Sequence, residues 1–367
     1  MSTLVSFARR EPVLLIAAAA AAVSCLFVPP DMAYLHYFDL RTLALLYALM
    51  VVVSGLRTAG AFARLAHETC ARARDTRALG LLLTALSFFS AMLITNDVAL
   101  LTFVPFAAAL MGMAGRQRDL ARVVVLQTAA ANLGSMLTPV GNPQNLYLYS
   151  YYDFTAAAFF RVTFLPWSLS LALLLLLCLG LPRRRSAVYL GQAPEVDVRR
   201  IRVCLALLAV CLLAVFRLIG WPVLLLILAA ALLAYDRSML RQADFALLAT
   251  FAAFFIFAGN LARLEAVDRL LTAALRGREY IAAVLASQVI SNVPAALLLS
   301  GFTPEGRELL LGVDVGGLGT PIASLASLIS LKLYAAVPDA HVGRYLLDFT
   351  LVNALLLALL SLARLLV

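Results

Sequence analysis

Apolar runs near 20 residues long alternate along this chain with short segments rich in arginine, proline and glycine. A helix of about 20 residues crosses the roughly 30 Å of hydrocarbon in a bilayer, so each run predicts a membrane-spanning helix. Nine crossings are expected, near 11–29, 40–56, 118–150, 163–181, 201–218, 220–235, 244–260, 306–334 and 344–366. Two further apolar stretches, 78–113 and 279–302, are broken at their middles by Thr95-Asn96-Asp97 and by Ser291-Asn292. A helical hairpin that enters the membrane and returns explains both the length and the polar tip. Backbone opened at membrane depth is tolerated only where protein or a water-filled cavity covers it, so the tips should border a cavity.

The runs 118–150 and 306–334 are broken as well. In Thr138-Pro139-Val140-Gly141-Asn142-Pro143, two prolines remove amide donors and Gly141 permits unusual backbone angles. The first helix should end near Leu137, and a new one should start at Pro143 with Asn142 as its N-cap. Gly316, Gly317, Gly319 and Thr320-Pro321 make a similar break, with Ser324 as the expected cap.

These features recur at a fixed offset. Gly134 to Asn142 lies against Gly316 to Ser324 without gaps, 182 residues apart. At that offset Asn132 faces Asp314, Thr138 faces Thr320, and Asn145 faces Ser327. Ala61 to Leu65 also resembles Asn260 to Leu264, and the two hairpin tips answer one another. Each unit holds four crossings and one hairpin, and one extra crossing joins them, so the halves should lie antiparallel. The chain therefore reads as an all-α polytopic membrane protein of two inverted repeats, each with a re-entrant helical hairpin and a broken transmembrane helix. The expected boundaries are 1–181 for the first repeat, 182–219 for a cytoplasmic linker and connecting helix, and 220–367 for the second repeat.

Composition strengthens the membrane reading. The 367 residues are 63% hydrophobic and only 13% charged, with mean hydropathy +0.96, against about 25% charged in soluble domains. The net charge of +9 comes almost wholly from arginine between apolar blocks, and no basic-aromatic face suggests nucleic acid. Arg9-Arg10 precede the first apolar run, which reads as an uncleaved first helix. Placing the N-terminus in the cytoplasm of a bacterial inner membrane puts 20 of the 29 basic residues on that side, as the positive-inside bias requires. Arg263, Arg269, Arg276 and Arg278, with Glu265, Asp268 and Glu279, read as an interfacial amphipathic helix. Tyr147, Tyr149, Tyr151 and Tyr152 read as an aromatic belt. The five cysteines and three histidines show no metal-ligand spacing, and no cofactor is expected. An intramembrane enzyme would need a His-Glu-x-x-His or a nucleophile–base pair, and the sequence offers neither.

Paired broken helices in inverted halves point to a transport site near the bilayer midplane. Open carbonyls and side-chain oxygens suit a cation such as Na⁺, and helix N-termini suit an anion. The candidate residues are Thr95, Asn96, Asp97, Thr138, Gly141, Asn142, Asn145, Ser291, Asn292, Asp314, Gly319, Thr320, Ser324 and Ser327. Asp97 and Asp314 are the acids expected deep in the membrane, where a carboxylate costs about 2.5–3.5 kcal/mol on insertion scales. Proton carrier, Na⁺ ligand and helix cap are all open for them.

The stretches Thr95 to Ala99, Asn132 to Asn145, Ser291 to Pro294 and Gly319 to Ser327 resemble the ion transporter superfamily. That group includes divalent anion/sodium symporters, citrate permeases, arsenite-efflux permeases and some Na⁺/H⁺ antiporters. The hairpin tips are similar to the Ser-Asn-Thr tips of the dicarboxylate symporters, which implies site roles for Asn96 and Asn292 and Na⁺ near Asn96, Asp97 and Asn292. The second half, with Asp314, is similar to the proton-coupled arsenite permeases. The resemblance implies a homodimeric secondary transporter of a small anion or oxyanion, di- or tricarboxylate-like or arsenite-like, coupled to H⁺ or Na⁺. A Na⁺/H⁺ antiporter is the alternative, and an intramembrane enzyme a remote one.

Overall fold

A computed structural model describes residues 11–184 and 191–365. Arg9, Arg10 and Arg185, which enter the charge bias above, lie outside the described residues. Among the described residues the fold is 17 α-helices and no strand. The first half runs α1 (Pro12–Phe27), α2 (Leu40–Thr58), α3 (Ala61–Cys70), α4 (Thr76–Ile94), α5 (Asn96–Met113), α6 (Gln117–Gly134), α7 (Pro143–Tyr151) and α8 (Ala156–Leu179). After the linker come α9 (Val198–Val215), α10 (Trp221–Tyr235), α11 (Phe245–Arg263), α12 (Glu265–Leu275), α13 (Glu279–Ile290), α14 (Asn292–Leu299), α15 (Gly306–Gly316), α16 (Leu325–Ala335) and α17 (Val342–Leu365). Seven helices are long and apolar enough to cross a membrane, and several shorter apolar helices accompany them. The protein is a multi-pass, all-helical membrane protein.

Polar contacts mark two ends. At one, which we call the linker end, the Thr76 amide donates to the Arg184 carbonyl at 3.0 Å and the Asp197 amide to the Ala59 carbonyl at 3.1 Å. Arg200 pairs with Asp236 there, and Ser54 Oγ donates to Gln242 Oε1 at 3.2 Å. At the far end, Arg263 pairs with Asp31 at 2.7 Å and Arg364 with Glu308 at 2.6 Å. Arg217 pairs with Asp153 at the same end, and Tyr152 donates to the Thr303 carbonyl at 2.8 Å.

Helix starts at these ends are fastened by side chains. Asp39, Asp75, Asp197 and Asp244 each accept an amide hydrogen of the first turn of α2, α4, α9 and α11, at 2.8–3.0 Å. Thr155 does the same for α8, so that helix begins at Ala156, seven residues before the expected 163.

Helices α4 and α5 pack on each other and reverse at Thr95, and α13 and α14 reverse at Ser291. The first hairpin starts at the linker end beside Arg184. The second starts at the far end, where Glu279 meets Thr303. The first pair of arms has 19 and 18 residues, and each arm is long enough by length and composition to cross a bilayer. The second pair has 12 and 8, with a three-residue 3₁₀ extension. Helix α6 packs on both arms of the first hairpin and is the most enclosed of the seven candidate spans, with 94% of its span buried.

Two sequence expectations need correcting. The match of Ala61–Leu65 with Asn260–Leu264 falls on different elements, since Ala61 opens α3 while Asn260 lies inside α11. Small and leucine-rich composition accounts for it. Two of the four tyrosines after the first break do not belong to a lipid-facing belt, while Tyr151 stays exposed. Tyr147 and Tyr149 are buried, Tyr147 Oη meets Ser300 Oγ at 2.8 Å, and the Tyr149 ring lies under Arg217. They fasten α7 to the second hairpin and to α9.

Candidate functional site

Thr95 and Ser291 hold the hairpin tips in one unusual backbone conformation, φ 68°, ψ 151° and φ 73°, ψ 153°. Positive φ is unfavourable for any side chain and most of all for a β-branched one, so the surroundings must enforce it. They do so with matching contacts. Thr138 Oγ1 donates to the Met92 carbonyl, and Thr320 Oγ1 to the Gln288 carbonyl at 3.2 Å. The Asn96 amide donates to the Gly141 carbonyl at 3.3 Å, and Ser291 Oγ to the Ala323 carbonyl at 3.4 Å. Each hairpin tip is thus strapped to the break in the neighbouring helix of its own half.

Glycines let the first break fold tightly on itself and the second approach its hairpin. A Cβ on Gly141 would sit 2.0 Å from the Ser135 carbonyl oxygen. Gly319, at φ 98°, would place one 2.3 Å from Gln288 Oε1, the atom that accepts the Thr320 amide at 2.9 Å.

Between the straps the halves meet. Asn132, on α6, accepts from Asn96 Nδ2 at 3.0 Å and from Ser324 Oγ at 3.0 Å, and donates to Ser327 Oγ at 3.2 Å and to the Gly317 carbonyl at 3.5 Å. Asn292 closes the same point from the other side, its Nδ2 2.9 Å from where a Gly317 Cβ would stand. The counterpart of Asn132 is Asp314, on α15, which is 2% exposed. Asn142, Gln144 and Asn145 surround its carboxyl group. Neither carboxyl oxygen has a hydrogen-bond partner among the described residues, and Asn142 Oδ1, Asn145 Oδ1 and Gln144 Nε2 lack one too.

Four helices, α5, α7, α14 and α16, begin in this region, and none is capped by its N-cap side chain. Asn142 and Ser324 stand at the expected cap positions without capping. The Asn142 oxygen is unpartnered, and Ser324 turns to Asn132. Their first-turn amides stay directed at the site.

A cavity of about 230 Å³ reaches the site past Ser54, Arg57, Gln242 and Asp244, and is bordered inside by Thr95, Asp97 and Asn142. Asp97 Oδ1 is buried there without a partner. Thr320 lies away from this cavity and is exposed. Among the described residues no three His, Cys, Asp or Glu side chains cluster.

The model of the citrate transporter family matches residues 3–305. The chain belongs to the citrate transporter family. It is 32% identical to the inner membrane protein YbiR of Escherichia coli over 80% of both chains. It is also 29% identical to the uncharacterized transporter MJ0456 of Methanocaldococcus jannaschii over 85% of both. Part of it, 29% of the chain, is 34% identical to the silicon efflux transporter LSI3 of rice, over 22% of that protein. This citrate-family protein is a membrane transporter and not an enzyme. The family match ends before α15, so the chemistry of Asp314 and the second break rests on the structure.

Three residues of the site are absent from the candidates drawn from the sequence. Asn132 and Gln144 both lie in the Asn132 to Asn145 stretch that carries the family resemblance, and the 182-residue offset that pairs Asn132 with Asp314 is a usable signal. Arg57 reaches the cavity from α2, far from either hairpin in sequence.

Proposed function

We propose that this citrate-family protein is a secondary active transporter of a small anion or oxyanion, coupled to H⁺ or Na⁺, in a bacterial inner membrane. The observation that carries this reading is the cavity in which Arg57 stands at the mouth and Asn142, Thr95 and the uncapped start of α7 stand inside. A guanidinium attracts an anion to the opening, and helix N-termini hold it at the base without a fixed charge. Weak holding of this kind suits a solute that must leave again. The solute class includes citrate and other di- or tricarboxylates, and arsenite-like oxyanions. The partial likeness to a silicon efflux transporter adds a silicon solute.

The matched straps at Thr138 and Thr320, and hairpins opening from opposite ends, support reading the halves as inverted repeats with re-entrant tips. The N-terminus is then cytoplasmic, the linker end faces the cytoplasm, and the protein works as a homodimer. Purified protein in liposomes should take up labelled citrate, succinate or arsenite when a pH or sodium gradient is imposed, and Arg57→Gln should raise KM several-fold. Gradient-independent leakage, or no movement of any of these solutes, would reject the reading. Sodium-driven proton movement without any anion would favour the Na⁺/H⁺ antiporter instead, to which the carboxyls of Asp97 and Asp314 lend themselves.

A further inference from the structure

Three helices that meet at the far end carry the same stripe. On α8, Arg161, Leu165 and Leu169 follow one another at four-residue steps, and on α15 so do Arg307, Leu311 and Val315. On α17, Leu360 leads to Arg364 at the same step. Residues four apart lie on one face of a helix, one above the other. Helices α8 and α15 start at the far end and α17 finishes there, so all three arginines stand at that end. The apolar side chains of α8 and α15 run about 12 Å deeper. The three stripes line one cavity of about 360 Å³.

Only 28% of the span of α8 and of α17 is buried inside the protein, so both helices face the bilayer and lipid borders the cavity. Its rim carries three arginines and two glutamates, Glu305 and Glu308, which leaves one positive charge in excess. Arg364 is already held, by Glu308 at 2.6 Å and over the Tyr280 ring at 5.9 Å from its centre. Arg161 and Arg307 are exposed and form no ion pair among the described residues. A second copy of the chain fits this rim badly, because a two-fold contact sets a patch against itself and would bring arginine to arginine. A phospholipid supplies what is missing. Its phosphodiester meets guanidinium groups through paired, charge-assisted hydrogen bonds, and its acyl chain covers the apolar stripes below.

We propose that this groove holds one singly charged anionic glycerophospholipid, with its phosphate on Arg161 and Arg307 and an acyl chain along Leu165, Leu169, Leu311 and Val315. The lipid bridges α8 of the first half to α15 and α17 of the second, and so stabilises their packing. Tyr280, Glu305, Glu308 and Arg364 also border a second cavity, of about 570 Å³, at the start of the second hairpin, so the headgroup stands beside the first turn of α13. The groove lies at the opposite end from the cavity that Arg57 opens, and the lipid there is a structural ligand rather than a transported solute.

Native mass spectrometry of the full chain, released from detergent micelles doped equally with phosphatidylglycerol and phosphatidylcholine, reads the occupant directly. The wild type should retain one phosphatidylglycerol per chain and several-fold less phosphatidylcholine, and only phosphatidylglycerol should raise its melting temperature. The double variant Arg161→Gln/Arg307→Gln should lose both the retention and the rise. Arg237→Gln/Arg241→Gln, in a separate basic cavity at the linker end, should keep both. Leu169→Trp fills the groove beneath an intact rim and should also lose the lipid, while glycerol phosphate alone should give no rise. Matching size-exclusion profiles without lipid establish that each variant is folded. Equal retention of the two lipids, retention that survives both groove variants, or a rise with glycerol phosphate alone would overturn the proposal. Loss of a dimer from the groove variants in lipid-free detergent would overturn it too, by making the occupant a second copy.

Discussion

Asn132 is where the two halves are joined, and replacing it by alanine tests the join. The substitution removes an acceptor shared by Asn96 Nδ2 and Ser324 Oγ and a donor to Ser327 Oγ. All three partners are buried. A buried group left without a partner costs about 1–3 kcal/mol. Hydroxyls can turn to nearby backbone carbonyls, so Ser324 and Ser327 recover part of the loss. The Asn96 side chain is held by its own oxygen, which accepts the Asp97 amide hydrogen at 2.9 Å, so its Nδ2 has no such freedom. Side-chain hydrogen bonds inside membrane proteins average only about 0.6 kcal/mol, which lowers the ceiling. The expected cost of Asn132→Ala is therefore about 1–3 kcal/mol, read as a lowered melting temperature of purified protein in detergent. Asn96→Ala should cost a similar amount. The double variant should cost less than the sum by about 1 kcal/mol, because the second change removes a partner already lost. Strict additivity would refute the Asn96–Asn132 contact.

Other substitutions probe the supports around it. Gly141→Ala should abolish folded protein on size exclusion, since its Cβ meets backbone at 2.0 Å, whereas Gly112→Ala, with nothing within 4 Å, should be neutral or stabilising by up to about 1 kcal/mol. Thr95→Gly should raise the melting temperature, because glycine adopts positive φ freely and the strain there is worth about 1–3 kcal/mol; a lowered value would mean that the Thr95 side chain holds the tip. At the far end the Arg263 guanidinium holds the Asp31 carboxyl below its usual range. A depressed folded value means that the contribution is present above about pH 4, the ordinary aspartate range, and lost as pH falls through the folded value. Asp31→Asn should therefore lower the melting temperature at neutral pH but bring it close to wild type in acid; an equal difference at both would refute the pairing.

The sequence shows the helical layout well because lipid imposes a simple rule: apolar runs of one length cross, and polar interruptions mark openings. The first hairpin was expected at 78–113 and spans Thr76–Met113, and the second break falls between Gly316 and Leu325 as proline and glycine require. Side-chain direction is what the pattern does not carry. Asn142 and Ser324 occupy cap positions, yet tertiary contacts and the cavity decide where their oxygens point. Tyr147 and Tyr149 have the composition of an interface belt but are covered by the second hairpin and α9, which are distant in sequence. Arg57 belongs to the site only because α2 packs beside the first break, a contact that no local motif announces.

The central claim is that the first hairpin's tip opens into a cavity shared with Arg57 at the linker end. Cysteine at position 95, introduced by Thr95→Cys and probed with a membrane-impermeant maleimide in sealed vesicles of known orientation, tests it directly. The account predicts reaction from the same side as Arg57→Cys, and slower reaction as citrate is added. Reaction only from the side on which Arg217→Cys is labelled would mean that α4 and α5 cross the bilayer fully, and would contradict the account.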